Sequence, residues 1–233
     1  MTMDGKAFGF DMTMMYAMHD ALRRELVRIA RATANRQQDP QQVLGTAVGW
    51  EMFKSYLRVH HTSEDDALWP VMSRELASRP GDLALVDAME TEHAAIDPLL
   101  NAIDAAITDH GSGPGRLGDL TDGLVTALTG HLKHEEKEAL PLINATLTQQ
   151  QWQHFSEVHR NRIGGDVPRY FPWLLENASK ENAAGVLGLL PENIRNTYRD
   201  DWLPAYSRLD LWSARTGNAS TPAGKPLRPH PAG

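Results

Sequence analysis

Four stretches of the chain repeat apolar side chains at steps of three and four residues, and each carries a histidine on the same stripe. The first runs Met15, His19, Leu22, Leu26, Ile29, and the second Thr46, Trp50, Phe53, Leu57, His60, Glu64. The third runs Val86, Met89, His93, Ile96, Leu100, Ile103, Ile107, and the fourth Leu117, Leu120, Leu124, Leu128, His131, Glu135. Such steps keep every member on one face of an α-helix. A helix with an apolar stripe must bury it against another element. Four of them in a row predict an all-α, up-down-up-down four-helix bundle over residues 11–145. Between them lie "ANRQQDP", a polar break with Pro40; "SRPGD", a turn with Asp82 as the candidate cap; and "HGSGPGRLGD", which reads as an inter-helix loop. No segment alternates as a strand would.

Residues 146–213 fall outside the four stripes but read as shorter helices, beginning with "QQWQHFSEVHRNRI", two of them with proline placed for a first turn. Four of the six tryptophans lie here: Trp152, Trp173, Trp202 and Trp212. This region is expected to form a helical extension packed on the bundle or on a partner. Residues 1–10 read as a loose lead-in, and residues 214–233, rich in Gly, Pro and Ser, as a disordered tail in which His230 has no role.

The histidines carry the functional signal. One histidine on a core stripe is ordinarily a hydrogen-bonded core residue. Four inward stripes each holding one, at His19, His60, His93 and His131, ask for a common cause. Two of them are followed one helical turn later by a carboxylate, Glu64 and Glu135. The two segments, "HHTSEDDALWP" from His60 and "HLKHEEKEALP" from His131, match through to Pro70 and Pro141. Burying two carboxylates without a counter-charge costs several kcal/mol each. A metal cation removes that penalty and takes neutral imidazoles as ligands. Each carboxylate has two oxygens and can bridge, so four His and two Glu suffice for a pair of metals with positions left open. Mixed nitrogen and oxygen donors disfavour Ca²⁺, Mg²⁺ and Cu(I); Fe or Mn suits them best, with Zn²⁺ as an alternative.

The neighbouring residues leave alternatives open. His61 points about 100° from His60 on a helix and reads as a supporting or solvent-facing side chain. His134 and Glu138 offer a shifted copy of the motif. Asp65 and Glu136 are acceptors for ligand histidines or surface charges. Tyr16 and Tyr56 lie one turn before His19 and His60, either as core residues or as hydrogen-bond donors to a metal-bound ligand. His154 and His159 fit a solvent-facing or capping role. Ferritin-like bundles need Glu-x-x-His twice, and only Glu90–His93 supplies it. A zinc-protease His-Glu-x-x-His is lacking, because the stretch that opens His134-Glu135 closes on Glu138. No nucleophile elbow or phosphate-binding glycine loop is present.

Composition bounds the rest. There is no Cys, which excludes disulfides and thiolate sites. The net charge of −7 comes without a basic stripe, so nucleic acid is not an expected partner. No apolar run is long enough to span a membrane, and the N-terminus lacks a signal-peptide pattern. A cytoplasmic protein without nucleic-acid or membrane partners is expected, with a homo-oligomer as an open alternative.

At the four ligand segments, His19 followed by "DALRREL", "HHTSEDDALWP", "ETEHAAIDPLL" and "HLKHEEKEALP", the sequence resembles hemerythrin-like proteins, the HHE cation-binding family. The resemblance covers residues 11–145. It implies a non-haem di-iron centre, oxo- or hydroxo-bridged, inside the bundle, with His19, His60, Glu64, His93, His131 and Glu135 as the ligands. It also implies binding of dioxygen or a related small molecule such as nitric oxide or peroxide, for sensing, storage or stress protection. The alternative is a di-iron oxidoreductase acting on peroxide, nitric oxide or an organic substrate. A module that metal merely staples together is the third. Dioxygen carriers of the family have a further histidine one turn after the lone third-helix one; here Asp97 stands there, a candidate ligand, supporting acceptor or surface residue. Members that repair iron–sulfur clusters carry a Cys-bearing segment, which has no counterpart in this sequence.

Overall fold

The computed structural model describes residues 2–3, 6–7, 9–35 and 39–212. The expected disordered tail, with His230, lies outside the described residues, as do positions 1, 4, 5 and 8 of the lead-in. Four helices form the bundle: α1 (Thr13–Ala34), α3 (Val48–Ala67), α5 (Pro80–Thr108) and α6 (Gly113–His134). A short helix α2 (Pro40–Thr46) precedes α3, and α4 (Trp69–Glu75) follows it. Beyond α6 the chain makes a π-helical turn (Glu135–Ala139) and continues as α7 (Leu140–Thr146). No helix among the described residues is long and apolar enough to cross a membrane.

The buried apolar residues form two clusters, and the four striped histidines sit where each helix passes from one to the other. On α1 the order is Met15 and Tyr16, His19, then Leu22 and Leu26; on α3 it is Phe53 and Leu57, His60, then Ala67. On α5 it is Val86 and Met89, His93, then Ile96 and Leu100; on α6 it is Leu124 and Leu128, His131, then Ala139 beyond the helix end. The Met15 cluster thus comes before the histidine on α1 and α5, and after it on α3 and α6. That alternation is the up-down-up-down path, and it leaves a polar layer across the middle of the bundle.

Several local expectations need correction. Pro40 opens α2 instead of breaking the chain: Asp39 accepts from Gln41 N at 3.0 Å, and proline is well placed in a first helical turn. Thr46 ends α2 and does not start the second stripe's helix. The Gln41 side chain then donates to Ala106 O and Asp109 O, closing the end of α5. Asp82 is not the cap of α5; Arg79 stands there, and Asp82 sits in the first turn as its ion-pair partner, where a negative charge suits the helix dipole. The glycine-rich stretch after residue 112 is helix from Gly113, because Asp109 turns the chain by accepting from Gly111 N and Ser112 N. At Gly113 any Cβ would lie 2.1 Å from Ala106 O, so only glycine fits that close approach. The lead-in contains two paired two-residue strands, β1 (Thr2–Met3) and β2 (Lys6–Ala7).

The extension comprises α8 (Gln149–Ile163), a 3₁₀ turn (Gly164–Asp166), α9 (Val167–Leu175), α10 (Lys180–Gly188), α11 (Glu192–Thr197), a π turn (Tyr198–Trp202) and α12 (Leu203–Tyr206). It lies against the bundle, α8 along α3 and both α9 and α10 along α1. Trp173 is fully buried, its ring 4.7 Å from that of Tyr56 and 5.4 Å from the Arg24 guanidinium. Arg24 also donates to the carbonyls of Trp173 and Glu176, the free end of α9. Arg28 makes a two-pronged bond to Glu176, and Tyr206 donates to the same carboxylate.

Trp173→Ala is expected to lower unfolding free energy by about 3–5 kcal/mol. Urea denaturation followed by circular dichroism checks this, with a lower midpoint and an unchanged slope as the expected result.

Candidate metal centre

The polar layer brings together six of the sequence-predicted residues. His19, His60, Glu64, His93, His131 and Glu135 are all buried, the two carboxylates with no exposed surface at all. His60 and Glu64 are one turn apart on α3. His131 is on the last turn of α6, and Glu135 opens the π turn. Pro141 explains that turn. It has no N–H to give to a carbonyl four residues back, and the helix widens ahead of it, with Leu140 N–H reaching Glu135 O five residues back. Such turns are frequent at functional sites. Pro70 is met differently: the helix axis breaks at Leu68 (φ −110°, ψ −63°) and restarts as α4. The twice-written proline therefore marks where each ligand helix is interrupted just past its carboxylate.

The donor atoms face one another. His19 Nε2 is 3.2 Å from both His60 Nε2 and Glu135 Oε2. His93 Nε2 is 3.1 Å from His131 Nε2. Glu64 lies between the two pairs, Oε1 at 3.5 Å from His60 Nε2 and Oε2 at 3.5 Å from His93 Nε2. Glu135 Oε2 lies between His19 and His131, the latter at 3.7 Å. None of the four carboxylate oxygens has a well-formed hydrogen bond among the described residues. Buried carboxylates are rarely left so, because the desolvation penalty is then uncompensated.

The far sides of the rings are anchored. His19 Nδ1 is 2.8 Å from Glu136 Oε1, His93 Nδ1 is 2.7 Å from Asp65 Oδ1, and His131 Nδ1 is 3.0 Å from Glu92 Oε2. A carboxylate at Nδ1 favours the proton there, so the neutral ring turns its Nε2 lone pair inward, the arrangement a metal ligand needs. Arg23 in turn grips Glu136 with two bonds at 2.9 and 2.8 Å.

Burial and the charge of Glu135 push the Glu64 carboxyl well above its ordinary value. Burial would raise Glu135 too, but His19, His131 and His93 bring it below the ordinary value. Burial works against a charged His19, yet Glu135 and Glu136 push it up to about 9. His60 and His61 are held well below the usual imidazole value, chiefly by burial and then by the surrounding histidines. The layer thus competes internally for positive charge, which a divalent cation would supply.

The other candidates fall elsewhere. Tyr56 donates its hydroxyl to Asp166 Oδ2 at 2.6 Å and faces the extension. Tyr16 is buried beside the layer, its pKa raised by burial and by Glu136 and Glu135. Asp97 is exposed, on the rim of a cleft, and belongs to neither group of converging donor atoms found among the described residues. His134 turns outward, Nδ1 bonded to Glu92 at 2.8 Å, and Glu138 is 47 % exposed, which removes the shifted motif. His61 is not solvent-facing: it is 6 % exposed and stacked on His93. His159 is half-buried, with its ring 6.3 Å from that of His60, while His154 is exposed. Glu92 escaped the sequence reading. Its only signal was its place beside His93, since the histidines it serves lie on another helix.

The family model of the hemerythrin HHE cation-binding domain matches residues 11–143. The chain belongs to that family. It is also 18 % identical over 227 residues to the zinc finger protein BRUTUS-like of Arabidopsis thaliana, a match that covers 89 % of this chain and 18 % of that protein. The chain thus spans less than a fifth of that relative's length. No solved structure matches.

The anchors give a testable contrast. Glu92→Ala is expected to weaken cation binding about 10- to 100-fold, measured by competition with a chromogenic chelator. Glu138→Ala, whose carboxylate faces the outward His134 and Lys137, is expected to leave binding unchanged.

Proposed function

From this family membership and the geometry of the polar layer, we propose that the six side chains hold two non-haem iron ions. On this reading the bundle binds dioxygen or a related small molecule, nitric oxide or peroxide, for sensing, storage or stress protection. The observation that carries it is the pair of fully buried carboxylates whose oxygens find imidazole Nε2 atoms instead of hydrogen-bond donors. His19, His60 and Glu135 form one group of converging donors, His93 and His131 belong to the other, and Glu64 reaches both. Iron in such a nitrogen and oxygen set supplies one-electron redox chemistry and open coordination positions.

The protein's own part is to orient and to exclude water. Glu136, Asp65 and Glu92 hold three of the rings, and the two apolar clusters close the layer above and below. A cleft of about 230 Å³ between α3 and α5 reaches His93 from the surface. Sites that enclose larger organic molecules usually measure about 300–1,000 Å³, so the cleft favours a small ligand over an organic substrate.

Protein purified from iron-supplemented cells is expected to hold about two iron ions per chain and to absorb in the near-ultraviolet and visible when oxidised. His60→Ala is expected to lose most of that iron and absorbance, while His134→Ala keeps both. Wild-type protein with far less than one ion per chain after reconstitution would refute the reading. Cycling the reduced protein with dioxygen, nitric oxide or peroxide separates the roles: a reversible spectral change supports binding, and sustained consumption supports turnover.

A further inference from the structure

His61 is the one buried imidazole of the layer that the reading above leaves without a task. It is 6 % exposed, and its Nε2 has no hydrogen-bond partner among the described residues. A buried polar atom without a partner is uncommon and calls for a reason. Its ring lies 3.9 Å from that of His93, nearly parallel, and edge-on to that of His131 at 5.2 Å. One donor atom each of His61, His93 and His131 lie within 4.8 Å of one another, as do those of His19, His60 and Glu135.

We infer that His61 is a third imidazole ligand, shared with His93 and His131, so that the two metal positions differ in their nitrogen count. The inference rests on the two-metal reading above. Adjacent residues on a helix project about 100° apart, which sends His60 toward the α1 side of the layer and His61 toward α5 and α6. Each therefore serves a different ion from the same turn of α3. No side chain takes this part from α5: Asp97, one turn after His93, stands exposed at the mouth of the cleft. Two rings that meet one ion must aim their lone pairs at a common point, so the His61–His93 stack opens on binding. No hydrogen bond to His61 Nε2 resists that turn. His61 and His93 both line the cleft, together with Arg58, Asp65 and Asp97. A small ligand entering there meets the three-nitrogen position first.

The test is His61→Phe, which keeps a flat buried ring on His93 and removes the nitrogen. Chelator competition and Mössbauer spectra of ⁵⁷Fe-loaded protein are compared with wild type. The expected result is one position weakened by at least about tenfold, with the other retained and its signal unchanged. Two ions held with wild-type affinity and an unchanged spectrum would overturn the inference. Wild-type protein that binds no iron would instead overturn the two-metal reading. If His61→Phe fails to fold, His61→Ala decides: added imidazole restores the lost ion and its spectrum if His61 is a ligand, and restores nothing if it only fills space.

Discussion

Glu64 and Glu135 are carboxylates with no exposed surface, set between two apolar clusters in the middle of a helical bundle. Everything around them is arranged to make that burial bearable. A lone buried carboxylate carries a penalty of several kcal/mol even after the protein relaxes. Hydrogen-bond donors could offset it, but no side chain offers either residue a well-formed hydrogen bond among the described residues. What the structure offers is imidazole nitrogen at 3.2–3.7 Å from four helices. Imidazoles offset carboxylate charge either by holding protons or by sharing a cation. His19 takes the first course beside Glu135, while burial holds His60 and His61 neutral and pushes the Glu64 carboxyl up. The cation-binding character of the family is the second.

The same economy explains the shell outside the rings. Glu136, Asp65 and Glu92 each hold an Nδ1, and their exposure rises outward, with Glu136 11 %, Glu92 33 % and Asp65 41 % accessible as side chains. Charge is thus graded from a closed centre to a hydrated rim, and only the inner pair bears the full cost of burial. The two histidine pairs are also unequal in their surroundings. His19 has the better-covered acceptor, itself clamped by Arg23, while His93 leans on the half-exposed Asp65 at the wall of the cleft.

The six inner residues were legible because helical phase is local: a residue three or four steps along lies on the same face whatever the tertiary structure does. What one helix presents sideways to another was not legible in this way. His61 was read against its own helix, where a position 100° from the core stripe looks peripheral. The placement of α5 and α6 puts that direction inside. Glu92 was invisible for a related reason, since its partners His131 and His134 are about 40 residues away on another helix. The turns failed differently. "GPGRLGD" and "DPQQ" look like loop text, yet proline and glycine are tolerated in a first helical turn, and the capping groups that decide the matter, Asp39 and Asp109, lie just upstream.

The extension borders the polar layer without supplying any of its six inner side chains. By covering α3 with α8, it places His159 against His60, and burial together with nearby Arg162 brings the His159 pKa down to about 4, so the ring adds no charge there. Through Asp166 it takes the hydroxyl of Tyr56, which stands one turn before His60 on α3. Tyr56, Tyr170 and Trp173 then make a continuous aromatic wall. The α3–α5 cleft lies on the other side, with His61 and His93 in its lining. The extension therefore sets the two halves of the layer apart by what it covers: it ties up the Tyr56 hydroxyl and packs aromatic rings on the α3 side, while the α3–α5 cleft lies along the His93 side.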